Sequence, residues 1–272
     1  MTNIPEFPFD FQDLLKKIGD SDLILVLGGV DTGKTTLIKG LQNQLGGEVI
    51  DSDVGQSSIG PPALVSRGTF RDGLINAHFV GDLTPRGNLI QVMTGIAKMA
   101  YKSTSPCVVD TDGWIEGEGA QLYKCELIDL LEPDILILLE REDELEGFRT
   151  NLSASHLIRL PAQNRGTKSA GERATNRTRS FKYYFYRAKN RFRKWDQIVV
   201  TDPSLGLKSK EELNRANEKH RLVGCYRKFQ FLGLGTISAL GEKGIEIFTP
   251  SENFNRVKLG KIKVKPSGHQ IA

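Results

Sequence analysis

The segment Gly28 to Thr35 constrains the fold of this chain more than any other feature. It reads G-G-V-D-T-G-K-T, fits the pattern G-x-x-x-x-G-K-S/T, and stands between an apolar run at Asp22 to Leu27 and a helical pattern at Thr35 to Leu45. In this context the pattern is typical of a phosphate-binding loop, in which backbone N–H groups and the helix N-terminus hold an anion. Lys34 would reach the β and γ phosphates, and the Thr35 hydroxyl would ligate Mg²⁺. The nucleoside triphosphate is expected to bind to Gly28, Gly29, Val30, Asp31, Thr32, Gly33, Lys34, Thr35 and Thr36.

Short apolar runs alternate with helical patterns along most of the chain, which favours an α/β fold. The runs are Asp22 to Leu27, Glu48 to Ile50, Ala77 to Val80, Cys107 to Val109, Asp134 to Leu139 and Gln197 to Val200. The helical patterns are Thr35 to Leu45, Asn88 to Lys102, Gln121 to Leu131 and Glu142 to Arg149. Because the apolar runs do not alternate with polar residues, they predict strands of a buried parallel sheet.

The sequence pattern changes after residue 221, where short apolar runs are separated by Gly, Pro and Asn. These runs predict a small antiparallel unit; they are Arg221 to Tyr226, Phe231 to Leu240, Gly244 to Phe248 and Val257 to Val264. The expected architecture is a P-loop NTPase fold with a mostly parallel sheet flanked by helices, a basic helical lid and a small C-terminal β unit. The expected divisions are an N-terminal extension (1–21), a P-loop domain (22–220) with the lid at about 159–195, and a C-terminal β domain (221–272).

Acidic residues follow two of the predicted strands. Asp51 and Asp53 come directly after one of them and can point to the same side, because strand side chains alternate. Asp110 ends another. At the carboxyl edge of such a sheet, a carboxylate can hold Mg²⁺ or accept a proton from an attacking hydroxyl. The pattern leaves open whether Asp53 or Asp110 is the main metal-binding or basic carboxylate.

Positive charge is concentrated in one segment of the chain. Residues 159–194 hold twelve Lys or Arg and a single acid, Glu172, whereas acids outnumber bases in the rest. Aromatic residues lie among these charges, namely Phe181, Tyr183, Tyr184, Phe185, Tyr186, Phe192 and Trp195. Phosphate attraction combined with stacking is how proteins hold single strands. We expect this segment to bind single-stranded nucleic acid or nucleotide phosphate rather than to be a solvated helix face.

Composition excludes several other classes of protein. With 39% hydrophobic and 26% charged residues, the chain is ordinary for a globular protein. Its apolar stretches, such as Leu23 to Leu27, fall short of the ~20 residues of a membrane helix, and the N-terminus lacks the features of a secretory signal. We expect a cytoplasmic protein with no membrane partner. Cys107, Cys125 and Cys225 have no close Cys or His partner and are expected to be buried thiols.

Four blocks of the sequence resemble the polynucleotide 5′-hydroxyl kinase family, which includes the RNA kinase subunit of the eukaryotic mRNA cleavage factor, nucleolar pre-rRNA kinases and archaeal RNA kinases. The blocks are GGVDTGKTT at 28–36, DSDVGQSSIGPP at 51–62, DTDGWIEG at 110–117, and the basic segment with Arg173-x-x-x-Arg177 and Tyr184-Phe185-Tyr186. The tail, with FLGLGTI at 231–237, is also similar to that of the family. The chain resembles the archaeal members most, from about Asp22 to Val264.

The resemblance implies roles for individual residues. Lys34 and Thr35 would bind the triphosphate and Mg²⁺, and Asp53 would activate the 5′-hydroxyl or order the metal. Arg173 and Arg177, one helical turn apart, would converge on the transferring phosphoryl group. The residues implied to hold the acceptor end are Asp51, Gln56, Thr111 and Trp114.

Two positions depart from the family pattern. Asp110 stands where the family has Asn, which puts extra negative charge where the acceptor strand is expected to pass, and Arg187 stands where the family has Gly. The implied function is Mg²⁺-dependent transfer of the γ-phosphate of ATP or GTP to the 5′-hydroxyl of single-stranded RNA or DNA; protein partners are unknown from the sequence.

Three alternatives remain at this stage. The chain can be a non-catalytic ATP-binding adaptor in RNA processing, or a small-molecule P-loop kinase, which has less need of a basic aromatic segment. Asp110-x-x-Gly113 also resembles the γ-phosphate switch of GTPases. Neither residues 139–142 nor residues 200–203 supply the guanine-reading Asn/Thr-Lys-x-Asp motif, so a GTPase is disfavoured.

Overall fold

The computed structural model describes residues 7–148, 156–162, 166–202, 206–208, 212–213 and 218–271. In these residues the α-helices are α1 (Phe11–Ile18), α2 (Lys34–Leu45), α3 (Leu89–Ala100), α4 (Glu118–Leu131) and α5 (Ala170–Tyr184). One sheet contains β1 (Leu23–Gly28), β2 (Glu48–Asp51), β3 (Leu64–Thr69), β4 (Gly73–Phe79), β5 (Cys107–Asp110), β6 (Ile135–Glu140) and β7 (Leu157–Pro161). The other contains β8 (Lys189–Lys194), β9 (Val199–Asp202), β10 (Gly206–Leu207), β11 (Arg221–Arg227), β12 (Gln230–Leu240), β13 (Gly244–Thr249), β14 (Arg256–Val264) and β15 (Gln270–Ile271).

The first sheet has the order β4-β3-β2-β5-β1-β6-β7. Five of its strands pair in parallel, namely β2, β5, β1, β6 and β7. Strands β3 and β4 add an antiparallel edge next to β2. The predicted fold class, an α/β fold with a mostly parallel sheet, is confirmed. Because β1, β2 and β5 are neighbours and parallel, the residues that follow them meet at one edge of the sheet.

Helices cover both faces of this sheet. The apolar side chains of β1 alternate between two cores, with Leu25 and Leu27 on the face covered by α3 and α4, and Ile24 and Val26 on the face covered by α1 and α2. Helix α1 belongs to this second core through Phe11, and its N-terminus is capped by the Asp10 carboxylate. The described part of the predicted N-terminal extension is therefore packed onto the sheet.

The second sheet begins earlier in the chain than the boundary predicted at residue 221. Strand β8 pairs with β13, and β9 pairs in parallel with β14, so both belong to the C-terminal sheet. Lys and Arg are good helix formers, which made the segment 189–194 look helical. Pairing with β13 overrides that preference. Arg191 and Arg193 also bond to Glu252 and to the Phe254 carbonyl in the segment that follows β13.

The basic segment is therefore helical only in α5 and the single turn that follows it. Helix α5 begins at a capping box in which Ser169 and Glu172 bond each other's backbone N–H groups. Phe181 and Phe185 are buried in a core that contains residues from both sheets. The expectation that these two rings stack on bases is wrong; Tyr183 and Tyr186, in contrast, are each 85% exposed.

Other differences from the sequence predictions are local. Strands β3 and β7 were not predicted, and the helix expected at Glu142 to Arg149 is a turn and a 3-10 helix at Glu146–Phe148, with Arg149 outside the described residues. The turn forms because the Glu144 carboxylate accepts from the backbone N–H groups of Arg141 and Glu142. Cys125 is half-exposed rather than buried. Among the described residues, no helix is long and apolar enough to cross a membrane.

Candidate active site

One cavity of about 1040 Å³ lies at the carboxyl edge of the parallel strands. Its walls come from the phosphate loop, the loops that follow β2, β4, β5 and β6, and the N-terminal half of α5. Of the residues predicted for the site, those that line it include Lys34, Thr35, Asp53, Gln56, Thr111, Trp114, Arg173 and Arg177. Asp51 does not line the cavity.

The phosphate loop has the backbone that its sequence requires. Asp31 and Gly33 both have positive φ values, 57° and 98°, which turn the chain sharply before α2. A side chain at Gly28 would meet the Leu139 carbonyl oxygen at 2.7 Å, so this position has no room for a Cβ. The loop therefore presents its backbone N–H groups at the helix N-terminus, where an anion is stabilised.

The Lys34 side chain lies inside this loop. Its Nζ donates to the carbonyl oxygens of Gly28 and Gly29, both at 2.7 Å, and burial lowers the pKa of Lys34. Asp110 and Asp53 partly offset that effect. A phosphate group bound in the loop would offer Lys34 an anionic acceptor, which is a stronger hydrogen-bond partner than the two neutral carbonyls.

Asp110 lies beside the phosphate loop and lines the cavity. Its Oδ2 accepts from the Thr35 hydroxyl at 2.8 Å, whereas its Oδ1 is buried and has no hydrogen-bond partner among the described residues. Burial, with the nearby Asp51 adding to it, raises the pKa of Asp110 to about 8. Asp110, which is 2% exposed, lies against Thr35 of the phosphate loop, and its raised pKa reduces the negative charge that the sequence predicted at this position.

Asp51 and Asp53 have different environments despite their spacing. Asp51 is 1% exposed, and its carboxylate accepts from Ser57, Ser58, Ile59 and the Asp53 backbone. These bonds fold the loop after β2, so Asp51 is a structural residue; its expected role in holding the acceptor does not fit this geometry. Burial, followed by the Asp53 charge, raises its pKa to about 6.

Asp53 has one carboxylate oxygen available to the cavity. Oδ1 accepts from the backbone N–H groups of Gly55 and Gln56, at 3.0 and 2.9 Å, and no described residue donates to Oδ2. Burial, followed by the Asp112 charge, raises the pKa of Asp53. A half-buried carboxylate with a raised pKa and a free oxygen has the properties of a general base.

Two arginines of α5 close the cavity from the opposite side. Arg173 forms an ion pair with Asp31 of the phosphate loop, with Nη2 and Oδ2 2.7 Å apart. Arg177 Nε donates to the Gln270 Oε1 of β15 at 2.9 Å. Burial and the Arg173 charge lower the pKa of Arg177, while Asp53 opposes that change. Both arginines therefore face the cavity, as their spacing predicts, but each has a partner that the sequence did not indicate.

The segment after β5 forms another wall. The Thr111 hydroxyl is fully buried and donates to the Val26 carbonyl, so it ties β5 to β1. Asp112 is paired with the buried Lys124 at 3.0 Å. The Trp114 ring lies at the cavity, with the Arg86 guanidinium 4.9 Å from its centre.

Sequence reasoning missed two parts of the cavity wall. The loop before α3 contributes Leu83, Thr84, Pro85 and Arg86, and the turn after β6 contributes Arg141, which donates to the Val30 carbonyl at 3.0 Å. No motif marks these residues. The signal available was their position after β4 and β6, since loops at the carboxyl edge of such a sheet bind ligands.

The described residues contain no group of three His, Cys, Asp or Glu placed to hold a metal ion. The oxygen donors at the loop, Thr35 and the unpartnered oxygen of Asp110, suit Mg²⁺, which is bound by one or two protein oxygens together with substrate phosphates and water. The site therefore fits a metal that arrives with a nucleotide.

Comparison with known proteins agrees with this geometry. The family model of the mRNA cleavage and polyadenylation factor CLP1 P-loop matches residues 28–187. A polyribonucleotide 5′-hydroxyl-kinase of Pyrococcus furiosus is 28% identical over 91% of this chain and 89% of its own length. Another from Pyrococcus horikoshii is 31% identical over 74% of this chain and 60% of its own length. A solved structure of the wild-type Clp1p–Pcf11p complex has the same fold, with a TM-score of 0.73 at 13% identity, over 93% of this chain and 78% of that one.

The loop, the sheet and the cavity define a nucleotide-binding protein of the P-loop class. Within that class, the chain belongs to the CLP1 P-loop family, whose model covers the phosphate loop, the acidic loops and the lid helix.

Proposed function

We propose that this protein is a polynucleotide 5′-hydroxyl kinase that transfers the γ-phosphoryl group of a nucleoside triphosphate to the 5′-hydroxyl of RNA. The observation that carries the proposal is the cavity that joins the phosphate loop, the free oxygen of Asp53 and the two arginines of α5. Relatives named polyribonucleotide 5′-hydroxyl-kinase support RNA as the acceptor. A DNA 5′ end presents the same hydroxyl, and both ATP and GTP are proposed as donors.

Binding of the triphosphate would use the loop and its lysine. Phosphate oxygens accept from the backbone N–H groups at the N-terminus of α2, and Lys34 Nζ moves from the Gly28 and Gly29 carbonyls to the β and γ phosphates. Thr35 and Asp110 would hold Mg²⁺, which would supply neutralisation of the phosphate charge.

Asp53 is the base that fits the acceptor hydroxyl. Its backbone hydrogen bonds fix Oδ1, so Oδ2 is held toward the cavity. A raised pKa increases its ability to take the proton from the 5′-hydroxyl as the new P–O bond forms. Asp110 is less suited to this step because its free oxygen, Oδ1, is buried, and its other oxygen is held by Thr35.

Arg173 and Arg177 would stabilise the charge of the transferring group. Phosphoryl transfer is catalysed mainly by positioning and by electrostatic stabilisation. Arg177 is held by a neutral amide and keeps its full charge for the phosphoryl oxygens. Arg173 must exchange Asp31 for phosphate, which couples closure of α5 to occupancy of the loop.

The test is transfer of labelled γ-phosphate from ATP and from GTP to a 5′-hydroxyl RNA oligomer. Matched DNA and 5′-phosphorylated RNA serve as acceptor controls, and Lys34→Ala serves as the inactive variant. Transfer to 5′-hydroxyl ends that disappears in the variant is the expected result. Tight triphosphate binding without transfer would contradict the proposal and support the non-catalytic adaptor, whereas preference for a mononucleoside would support a small-molecule kinase.

A further inference from the structure

The second sheet, which lies outside the cavity, carries cations along strand β14, and an exposed aromatic ring, Phe229, lies in the nearby turn between β11 and β12. The loop Gly81–Asn88 connects this strand to the cavity, because Lys261 Nζ donates to the Gly87 carbonyl at 2.9 Å and the neighbouring Arg86 lines the cavity. The Lys261 backbone N–H also donates to the Gly81 carbonyl, and Gly260 packs against Gly81. The pairing of β14 with β11 is irregular here, which turns Lys261 toward the cavity loop.

The same strand presents further cations away from the cavity. Arg256, Lys258 and Gly260 alternate with the buried Val257 and Leu259, so they share the face of the strand that meets the first sheet. Lys98 of α3 adds a cation to this face: burial lowers the pKa of Lys258, and the charges of Arg256 and Lys98 lower it further. We call Lys261, Lys258, Lys98, Arg256 and Phe229 the β14 track.

Aromatic rings accompany these cations. The Arg256 guanidinium lies 4.9 Å from the centre of the Tyr226 ring and 5.7 Å from that of Phe229, and Lys258 Nζ lies 5.3 Å from Tyr226. Phe229 is 90% exposed at the end of the track. A ring this exposed contributes little to folding but offers a face on which a base can stack.

The charges of the track are not neutralised within the described part of the chain. None of its cations forms an ion pair with a described carboxylate, whereas Arg159, Arg173 and Arg191 each do. Arg256 Nε is buried without a hydrogen-bond partner. A cluster of cations without acidic partners favours a polyanion as the ligand.

We infer that the acceptor RNA, downstream of its 5′ end, leaves the cavity past Arg86 and runs along the β14 track to Phe229. The distance along β14 from Lys261 to Arg256 is about 15 Å, so a short stretch of extended single strand can contact cations at both ends of it. The contacts are to phosphates and to the face of a base, so binding along the track is independent of sequence. This inference rests on the proposed function, since it names the path of the same substrate.

The experiment compares acceptors of different length. The track variant combines Lys98→Glu, Arg256→Gln and Phe229→Ala, and the control variant combines Lys16→Glu and Lys243→Gln, which change the net charge equally at exposed positions away from the track. Each protein is assayed with a dinucleotide and with an RNA of about 12 nucleotides, both with a 5′-hydroxyl.

The track variant is expected to raise the KM for the longer RNA at least about 10-fold, with kcat and the dinucleotide KM unchanged. Its KM should also depend less steeply on salt, by roughly 0.7 in the logarithmic slope for each phosphate that the variant no longer binds. If the triple variant is unstable, the single variants Lys98→Glu and Phe229→Ala, which change exposed residues, are expected to raise the KM for the longer RNA as well. An unchanged KM for the longer RNA would overturn the inference.

Binding of a 5′-phosphorylated RNA of about 12 nucleotides, followed by fluorescence anisotropy, separates this inference from the proposed function. If the wild type transfers no phosphate to any RNA, the proposed function fails. The track is then supported by weaker RNA binding in the track variant and overturned by equal binding. Unchanged RNA affinity together with lost binding of polyglutamate would assign the surface to an acidic protein and would overturn the inference.

Discussion

At the scale of single residues, the two carboxylates nearest the phosphate loop differ in which of their oxygens are free. Asp53 has its Oδ1 fixed by two backbone N–H groups, and Asp110 has its Oδ2 fixed by Thr35. Sequence alone left the two equivalent, because Asp53 follows one strand and Asp110 ends another at the same edge of the sheet. The distinction arises from hydrogen bonds between segments far apart in the chain, which no local pattern encodes.

Asp53→Asn is expected to lower kcat by about 10²- to 10⁴-fold, the range typical of losing a general base. The amide oxygen can still accept from Gly55 and Gln56, so the loop and triphosphate affinity should be retained. In the wild type the base must be deprotonated, and its pKa is raised; kcat should therefore fall as the pH drops through that raised value. Rapid-quench transfer assays measure kcat and its pH dependence, and nucleotide titration measures the triphosphate affinity. Full activity in Asp53→Asn would show that Asp53 is not the general base.

At the scale of secondary-structure elements, helix α5 depends on the C-terminal strand β15. Gly268, with a φ of 86°, lies against the Thr178 carbonyl and the Lys182 backbone, and Gln270 follows it to hold Arg177. A Cβ at Gly268 would meet the Thr178 oxygen at 2.3 Å. The segment around β15 therefore supports α5, although the sequence pattern predicted a tail separate from the lid.

Gln270→Leu is expected to lower kcat about 10-fold, because the Arg177 guanidinium loses the acceptor that orients it. Triphosphate affinity should not change. In an Arg177→Ala background the same substitution should have no further effect, since contacting residues are not additive. Steady-state kinetics of the two single variants and the double variant test this, with the exposed Gln230→Leu as the matched control; additive losses would show that Gln270 acts elsewhere.

The packing of β4 against α3 predicts a pH-dependent stability. Burial, followed by the Lys98 and Lys258 charges, lowers the pKa of His78 from 6.5 to about 4. Below pH 6.5 the unfolded chain takes up a proton that the folded protein binds only near pH 4, so stability is lost as the pH falls across that window. The loss from this group reaches about 3 kcal/mol. Urea unfolding from pH 7 to pH 4 should show a shallower decline in His78→Gln than in the wild type; parallel curves would contradict the assignment.

How much of the fold the sequence could predict depended on the kind of element. Strands β1, β5 and β6 were predicted because buried parallel strands are continuous apolar runs. Strand β3 was missed because Ser66, Arg67 and Gly68 interrupt its apolar residues; it forms through antiparallel pairing with β2 and β4. Of the site, the phosphate loop was visible as a motif. The wall at Arg86 was not, because contacts of the Gly81–Asn88 loop with β14 place it there.

At the scale of the whole molecule, the two sheets share a hydrophobic core. Phe79 of the first sheet, Tyr226 and Leu234 of the second, and Phe181 and Phe185 of the lid segment are all buried in it. A Cβ at Gly224 would meet the Phe79 ring at 2.7 Å, which shows how closely the sheets approach. Helix α5 and the loop before α3, which both contribute to the cavity wall, pack against this shared core. The site therefore requires both sheets to be folded.

The shared core predicts that the two sheets unfold together. The chain has two tryptophans, Trp114 beside the first sheet and Trp195 beside the second, so Trp195→Phe and Trp114→Phe each leave one reporter. Urea transitions followed by the two reporters should coincide, as expected for a single cooperative unit. Phe79→Ala should destabilise both by about 3–5 kcal/mol, whereas the exposed Phe229→Ala should shift neither. Separate midpoints, or a Phe79→Ala shift confined to one reporter, would show that the sheets fold independently and that the lid's support is not cooperative with the phosphate loop.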